Sequence, residues 1–406
     1  MAIAGETIPS QRGQAVVTGA PFDYEKLDDL LERAGIDVLI VSSKHNLRYM
    51  LGGYSFFFFE QADAIGVGRY VPLLVYQRGH VERTCYIGIG TERSEVANGA
   101  LWAPELIVGW YGPGAMQAAV EHIKRLGMAG GRIGIETAFL GADSVGVLHA
   151  ALPQAAVVDA LLPLERFRAV KTPQELDNLR EASEKVVDSM LTVFATHGPG
   201  SSTRDIAEAL RQEETRRGLH FDYCLIAAGV SQNRAPADRF LWEEGDILSL
   251  DSGGSYRGYI GDLCRMGIQG EPDAELEDLL AQVDEIQQAA RQPVKAGALG
   301  GSIYESVDGL LRRSPHAGVL EFVAHGMGLI SHEVPRLTGT GPIPYPDHHS
   351  GEPLEAGMVL SIETTIAHAR RGFIKLEDTL VVTPTAWEAF GDRGRGWNLG
   401  ASTTRR

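Results

Sequence analysis

Residues 247–266 read ILSLDSGGSYRGYIGDLCRM, a β-type apolar stretch that carries two carboxylates, Asp251 and Asp262. Its alternation predicts a hairpin. Ile247, Ser249 and Asp251 fall on one face of a first strand, Leu248 and Leu250 on the other. Ser252-Gly253-Gly254-Ser255 is expected to supply the turn, with Tyr256 to Ile268 running back. Two carboxylates buried on adjacent strands lose hydration and repel each other. A cation shared between them removes both penalties, whereas a surface hairpin with two solvated aspartates would need none.

Outward from this stretch, the 406 residues suggest two domains. A hydrophobic fraction of 44% and a charged fraction of 22% are ordinary for a globular protein. The net charge of −16 argues against nucleic acid or an anionic membrane as partner. Cys85, Cys224 and Cys264 lie far apart without a CxxC spacing, so neither a disulfide framework nor a thiolate zinc site is expected. The start, MAIAGETIPSQRGQ, lacks a basic segment followed by an apolar one, and no apolar run reaches membrane-spanning length. The expected compartment is the cytoplasm.

Residues 1–20 are polar and aperiodic and are expected to form a flexible arm. YEKLDDLLERAG (24–35) places Leu27, Leu30 and Leu31 on one helical face and ends in glycine; IDVLIVSS (36–43) reads as a buried parallel strand. Strands are predicted at 70–77, 82–88 and 131–138, and helices at 115–127 and 144–153, so residues 21–165 describe an α/β domain. Phe56-Phe57-Phe58-Phe59 is expected as a strand, either packed in the core on both faces or forming an aromatic wall toward a substrate or a neighbouring subunit. A second domain is predicted over 166–390. It opens on a helix capped by Thr172, with Pro173 in its first turn and Glu175 closing a capping box. Helix, helix and strands then occur twice in succession, which suggests an internal pseudo-two-fold. Residues 391–406 read as a polar tail.

Two further carboxylates interrupt apolar strands of a second hairpin, Glu363 in VLSIETT and Glu377 in KLEDTLVVT. Between the hairpins lies AHGMGLISHEVPRL, with His325, His332 and Glu333; the seven-residue spacing of the histidines does not by itself bring both to one place. Oxygen-rich ligands with one imidazole suit Mn, Fe, Co or Zn better than Ca. Four carboxylates exceed the need of one ion and suit two ions sharing bridging oxygens.

The segments LSLDSGG, GDLCR, AHGMGLISHEVPRL, VLSIETT and KLEDTLVVT resemble, in order and context, the pita-bread family of creatinase, prolidase, aminopeptidase P and methionine aminopeptidase. The N-terminal half is similar to the creatinase-type domain, and AVKTPQELDNLREASE looks like the helix that opens the family's catalytic domain. The resemblance covers residues 22–385 and implies an α+β fold, a pita-bread domain of two pseudo-symmetric halves behind an α/β N-terminal domain. It implies a dinuclear site in which Asp251 and Asp262 hold one ion, His325 and Glu363 complete the other, and Asp262 and Glu377 bridge. Glu363 would also shuttle a proton for a metal-bridging hydroxide, His332 would act at the scissile carbonyl, and Arg336 could meet a substrate carboxylate. The cofactors implied are two divalent ions, Mn first, with Co, Fe or Zn as alternatives. The function implied is amide C–N hydrolysis of the Xaa-Pro dipeptidase or aminopeptidase type, in a homodimer whose N-terminal domain rims the partner's site.

Some positions depart from the family. Where the proline peptidases carry a loop histidine, this chain has Asn233-Arg234-Ala235-Pro236, and no histidine occurs between His220 and His316. Asparagine cannot shuttle a proton and arginine is always charged. Glu321 stands where some aminopeptidases P have another histidine, Thr364-Thr365 follows Glu363 in place of Pro-Gly, and Lys375 replaces an arginine. A hydrolase or lyase of a small amide, amidine or zwitterion is therefore a second reading, although Gly253 stands where the superfamily's DMSP lyase has an acidic residue. A binding-only member is a third, which the complete ligand set argues against. His348 and His349 are expected at a solvated rim.

Overall fold

The structure is a computed structural model, describing residues 6–8, 19–65, 70–109, 112–338 and 346–401. It divides into two compact units, Met1–Phe167 and Arg168–Arg406.

The first unit is built on a seven-stranded mixed sheet. Its order is Glu6–Ile8, Glu105–Val108, His80–Gly88, Leu73–Gln77, Val38–Val41, Arg132–Ile135 and Ala156–Asp159. Val38–Val41 is buried along its whole length, as a continuous apolar run demands. It pairs in parallel with Arg132–Ile135 on one side and antiparallel with Leu73–Gln77 on the other. Its alternate residues feed separate cores: Leu39 and Val41 on one face of the sheet, Val38 and Ile40 on the other. Two expectations fail in this unit. Glu6–Ile8 is an edge strand antiparallel to Glu105–Val108, although the rest of residues 1–18 lies outside the described residues. The phenylalanine run is no strand, because Phe57–Glu60 forms a single helical turn. That turn spreads the rings around an axis, leaving Phe59 buried, Phe57 65% exposed and Phe58 stacked on Tyr70.

In the second unit the expected capping box is present. The Thr172 hydroxyl accepts from the Glu175 amide, and the Glu175 carboxylate accepts from the Thr172 amide. Helices Pro173–Thr196 and Thr203–Arg216 are followed by strands His220–Ala228, Ile247–Tyr256 and Tyr259–Ile268. Helices Ala274–Arg291 and Ser302–Arg313 are followed by strands Leu320–Gly326, Val359–His368 and Gly372–Val382. The halves meet at their inner strands, where Cys264 pairs with Glu377, so each half runs outward from the centre as hairpin and then outer strand. That is the pseudo-two-fold suggested by the element order.

The first hairpin turns later than its sequence suggests. Strand Ile247–Tyr256 runs straight through Gly253 and Gly254, and the reversal is made by Arg257 and Gly258, both at positive φ. The two glycines serve close approach instead. A Cβ on Gly253 would meet the Tyr223 ring at 2.4 Å, and one on Gly254 would meet the Glu214 carboxylate at 2.5 Å. Glu214 is fully buried, with one oxygen accepting from the Ser252 hydroxyl at 2.9 Å and the other without a hydrogen-bond partner. Burial pushes its carboxyl up to about 8, against the lowering effect of the Ser252 hydroxyl. The folded state therefore holds a proton that the unfolded chain releases near pH 4.5, and stability falls as pH climbs from there toward 8. Glu214→Gln is expected to flatten that slope and to raise stability at pH 7 by up to about 3 kcal/mol. Urea unfolding at pH 5 and pH 7.5 checks it; an unchanged slope would show that Glu214 is ionised in the fold.

The predicted tail is also incorporated. Asn398–Leu399 pairs in parallel with Gly267 and Ile268. Asp392 takes Arg291 through two hydrogen bonds at 2.9 and 3.0 Å, and Arg395 reaches Asp378. Arg265 donates to the carbonyls of Gly391 and Arg393. Apart from the Arg395–Asp378 pair, these partners lie more than 100 residues away in the chain, so no local pattern announces them. Residues 402–406 lie outside the described residues.

Candidate active site

Sheet register alone brings the five candidate ligands together. Glu363 lies directly opposite Glu377, Glu377 opposite Cys264, and Cys264 opposite Asp251, so one row crosses four strands. Directly paired residues share a face, and so do residues two apart on a strand. Asp262, two before Cys264, and Lys375, two before Glu377, therefore join that face. His325 joins it through its partner Ser361, two before Glu363. Asp251, Asp262, His325 and Glu377 are buried and Glu363 nearly so.

His325, Asp262 and Glu377 offer ligand atoms that all lie within 4.8 Å of one another, as do His325, His332 and Glu363. The His325 Nδ1 sits 3.1 Å from the Gly326 carbonyl, which takes its proton and leaves Nε2 with a free lone pair. That Nε2 is buried without a hydrogen-bond partner, 3.5 Å from Glu363. An unpartnered imidazole nitrogen turned toward buried carboxylates fits a divalent cation. The carboxylates carry the same message. Burial, and then the charges of Glu377 and Asp251, hold Asp262 well above its ordinary range. Glu377 is raised to about 7 by burial, against the opposing Lys375. Glu363 stays ionised far down the pH scale, since Lys375 and His325 outweigh its burial. Burial alone would lower His325, yet Glu363 and Glu377 leave it above its usual value.

His332 reaches the site because the segment after His325 folds back on itself. The Glu333 amide donates to the Gly326 carbonyl at 2.9 Å, and the Gly326 amide donates to the Pro335 carbonyl at 3.0 Å. Only glycine permits this, since a Cβ on Gly326 would fall 2.0 Å from the Val334 carbonyl group. The His332 ring then stacks on His325 with centroids 3.8 Å apart. Although His332 keeps an exposed edge, loss of hydration from the groups packed around it, and next the neighbouring His325, lower it to about 4, so it is neutral at pH 7. Glu333 points away and is buried between Arg168 Nη2 at 2.9 Å and Lys171 Nζ at 2.8 Å. Arg336 is buried, its amide donating to His349 Nδ1 at 3.1 Å. His349 is thus a buried prop under Arg336 rather than a solvated rim residue, while His348 is exposed.

Three participants lie outside the predicted site residues. Lys375 places its ammonium among Asp251, Glu363 and Glu377. Tyr223 hydrogen-bonds Asp262, and its phenol is raised far above the usual range by burial and the surrounding carboxylates. Ser361 donates to Glu377 at 2.8 Å. Within the loop that differs from the proline peptidases, Asn233 turns its amide to the Ala235 carbonyl at 2.5 Å, whereas Arg234 lies over the Phe373 ring and donates to Asp251.

Residues 177–384 match the model of metallopeptidase family M24, and residues 24–170 that of the creatinase/prolidase N-terminal domain. The chain belongs to metallopeptidase family M24. It is a metallohydrolase of that family, whose members use divalent metals. It is 26% identical over 374 residues to the uncharacterized peptidase YqhT of Bacillus subtilis (strain 168), covering 88% of this chain and 94% of that one. It is 23% identical over 227 residues to the Xaa-Pro dipeptidase of Pyrococcus furiosus, covering 54% and 62%. Among solved structures, the prolidase of Thermococcus sibiricus superposes with a TM-score of 0.77 at 18% identity, over 94% of this chain and 100% of that one. The Xaa-Pro dipeptidase of Bacillus anthracis superposes with 0.76 at 20%, over 93% and 98%. At these identities the structural likeness establishes the two-part fold. Among the described residues, no helix is long and apolar enough to cross a membrane.

Proposed function

We propose that this member is a dinuclear hydrolase of the Xaa-Pro dipeptidase or aminopeptidase type, cleaving an amide C–N bond. The carrying observation is the unpartnered Nε2 of His325 beside Asp262, Glu377 and Glu363. Asp251 and Asp262 would hold one ion, His325 and Glu363 the other, with Asp262 and Glu377 shared. When bound, the ions supply Lewis acidity and a water of lowered pKa, Mn being the first to test and Co, Fe or Zn the alternatives. Glu363, ionised and facing His325, is placed to take a proton from the attacking water and return it to the leaving nitrogen. His332, neutral and stacked at the site, is suited to hydrogen-bond the reacting carbonyl. Arg336 is charged and close enough to lower His332, a position suited to a substrate carboxylate. A homodimer is proposed with it, testable by light scattering.

A second reading, hydrolysis or lysis of a small amide, amidine or zwitterion, is favoured by Arg234. A guanidinium on Asp251 gives the substrate side of the site a fixed positive charge in place of a group that can exchange a proton. One experiment separates the readings: chelator-stripped protein, reloaded with Mn, is assayed on a panel of Xaa-Pro dipeptides and small amides. Xaa-Pro cleavage that requires the added metal is expected. Turnover of small amides alone would favour the second reading, and an inert protein after reloading would remove both.

A further inference from the structure

The two halves of the candidate metal centre meet a cation very differently. On the Asp251 side, a cation is already built in. The Lys375 ammonium lies 2.7 Å from Asp251 Oδ2, 2.6 Å from Glu363 Oε2 and 2.8 Å from Glu377 Oε2, and its side chain is 5% exposed. Its three hydrogens thereby find three acceptors on three strands. Arg234 shares the same Asp251 oxygen. An ammonium is the side-chain group closest to a metal ion in form, a compact point charge on a flexible stem. On the other side, Asp262 has the phenol of Tyr223, and the His325 Nε2 has no hydrogen-bond partner.

We propose that Lys375 is an intramolecular competitor for the second metal position, so that the two ions load in a fixed order. The first enters at His325, Asp262 and the Oε1 atoms of Glu363 and Glu377, since Lys375 holds only the Oε2 atom of each of these glutamates. Lys375 must swing out of the Asp251–Glu363–Glu377 cage, still protonated, before a second can enter. The inference rests on the two-ion reading above. Its rival is a purely structural Lys375, which would stay in place while the ions use the opposite carboxylate oxygens.

The test titrates Mn into metal-free wild type and Lys375→Met, following heat and bound metal per chain. Removing a nearby positive charge strengthens both ions, so the readout is the ratio of the two affinities. Wild type should take one ion tightly and the second about 100-fold more weakly, the scale of losing one or two charge-assisted hydrogen bonds. Lys375→Met should bring the two within about tenfold of each other. Two equal affinities in wild type, or an unchanged ratio in the variant, would overturn the competitor role and leave the two-ion reading standing. Binding of no ion by either protein would overturn both. The ¹⁵Nζ resonance of Lys375 in wild type is an independent readout that needs no variant. The ammonium signal should persist through the first equivalent of a diamagnetic ion such as Zn and be lost with the second. A signal unchanged through both would also overturn the proposal.

Discussion

Asp262→Asn is expected to strip the protein of bound metal and to lower hydrolysis on the order of 10³-fold or more, while the fold stays intact. Losing a group that merely orients a ligand already costs about 10–100-fold, and Asp262 is proposed as a ligand shared by both ions. The stability side is equally specific. In the metal-free protein, burial and the charges of Glu377 and Asp251 raise the Asp262 carboxyl well above its ordinary range. A group with a raised folded value makes the fold less stable as pH rises through the window above the ordinary carboxylate range. Asparagine removes that charge and still offers the Tyr223 hydroxyl an acceptor. The metal-free variant should therefore equal or exceed wild type in urea at pH 7. Metal analysis, activity and urea midpoints on one preparation check the three parts together. Wild-type turnover with Asp262→Asn would remove the assignment of this residue, and activity lost together with the fold would make it structural.

The second large effect concerns Glu333, beside His332 in sequence but pointing the other way. Glu333→Ala leaves Arg168 and Lys171 buried without their shared carboxylate, and breaking such a group costs about 3–5 kcal/mol. Against a total stability of about 5–15 kcal/mol, that is a third or more. The pH dependence has a definite sign. Burial alone would raise the Glu333 carboxyl, but Lys171 and Arg168 hold it below its ordinary value. The stabilisation is therefore complete above the ordinary carboxylate range and is lost as pH falls through the lowered value. Guanidine or urea melts at pH 7 should show the loss. The triple change Glu333→Ala, Arg168→Met, Lys171→Met should recover most of it, because it removes the stranded charges as well. A loss below about 1 kcal/mol would mean that the three groups are effectively solvated, as surface pairs are.

What was legible in the chain follows from how far each signal reaches. Carboxylates interrupting apolar strands at Asp251, Asp262, Glu363 and Glu377 are local anomalies, and alternation is enough to place them on a sheet face. The Thr172 capping box was readable for the same reason: three residues contain the whole motif. The failures have long-range causes. The glycines at 253 and 254 looked like a turn because their need is steric and lies on Tyr223 and Glu214, beyond the hairpin. Four consecutive phenylalanines gave no period at all, so strand and helical turn could not be told apart. The return of His332 onto His325 depends on the close contact at Gly326, which spacing cannot express. Lys375 was visible as a departure from the family, but a lysine two residues from a ligand does not reveal which oxygens it will hold.

The residues after Phe390 change how the site must come into being. Asp378 follows the candidate ligand Glu377 directly and is buried against Arg265, Arg291 and Arg395. Arg395 belongs to the last stretch described, which also pairs with the sheet through Asn398–Leu399. During synthesis, domains fold as units once their sequence has emerged. Glu377 would leave the ribosome before the guanidinium that completes the support of its neighbour. The candidate site would thus be assembled only after the segment through Leu399 has emerged, and a shorter growing polypeptide would lack its support.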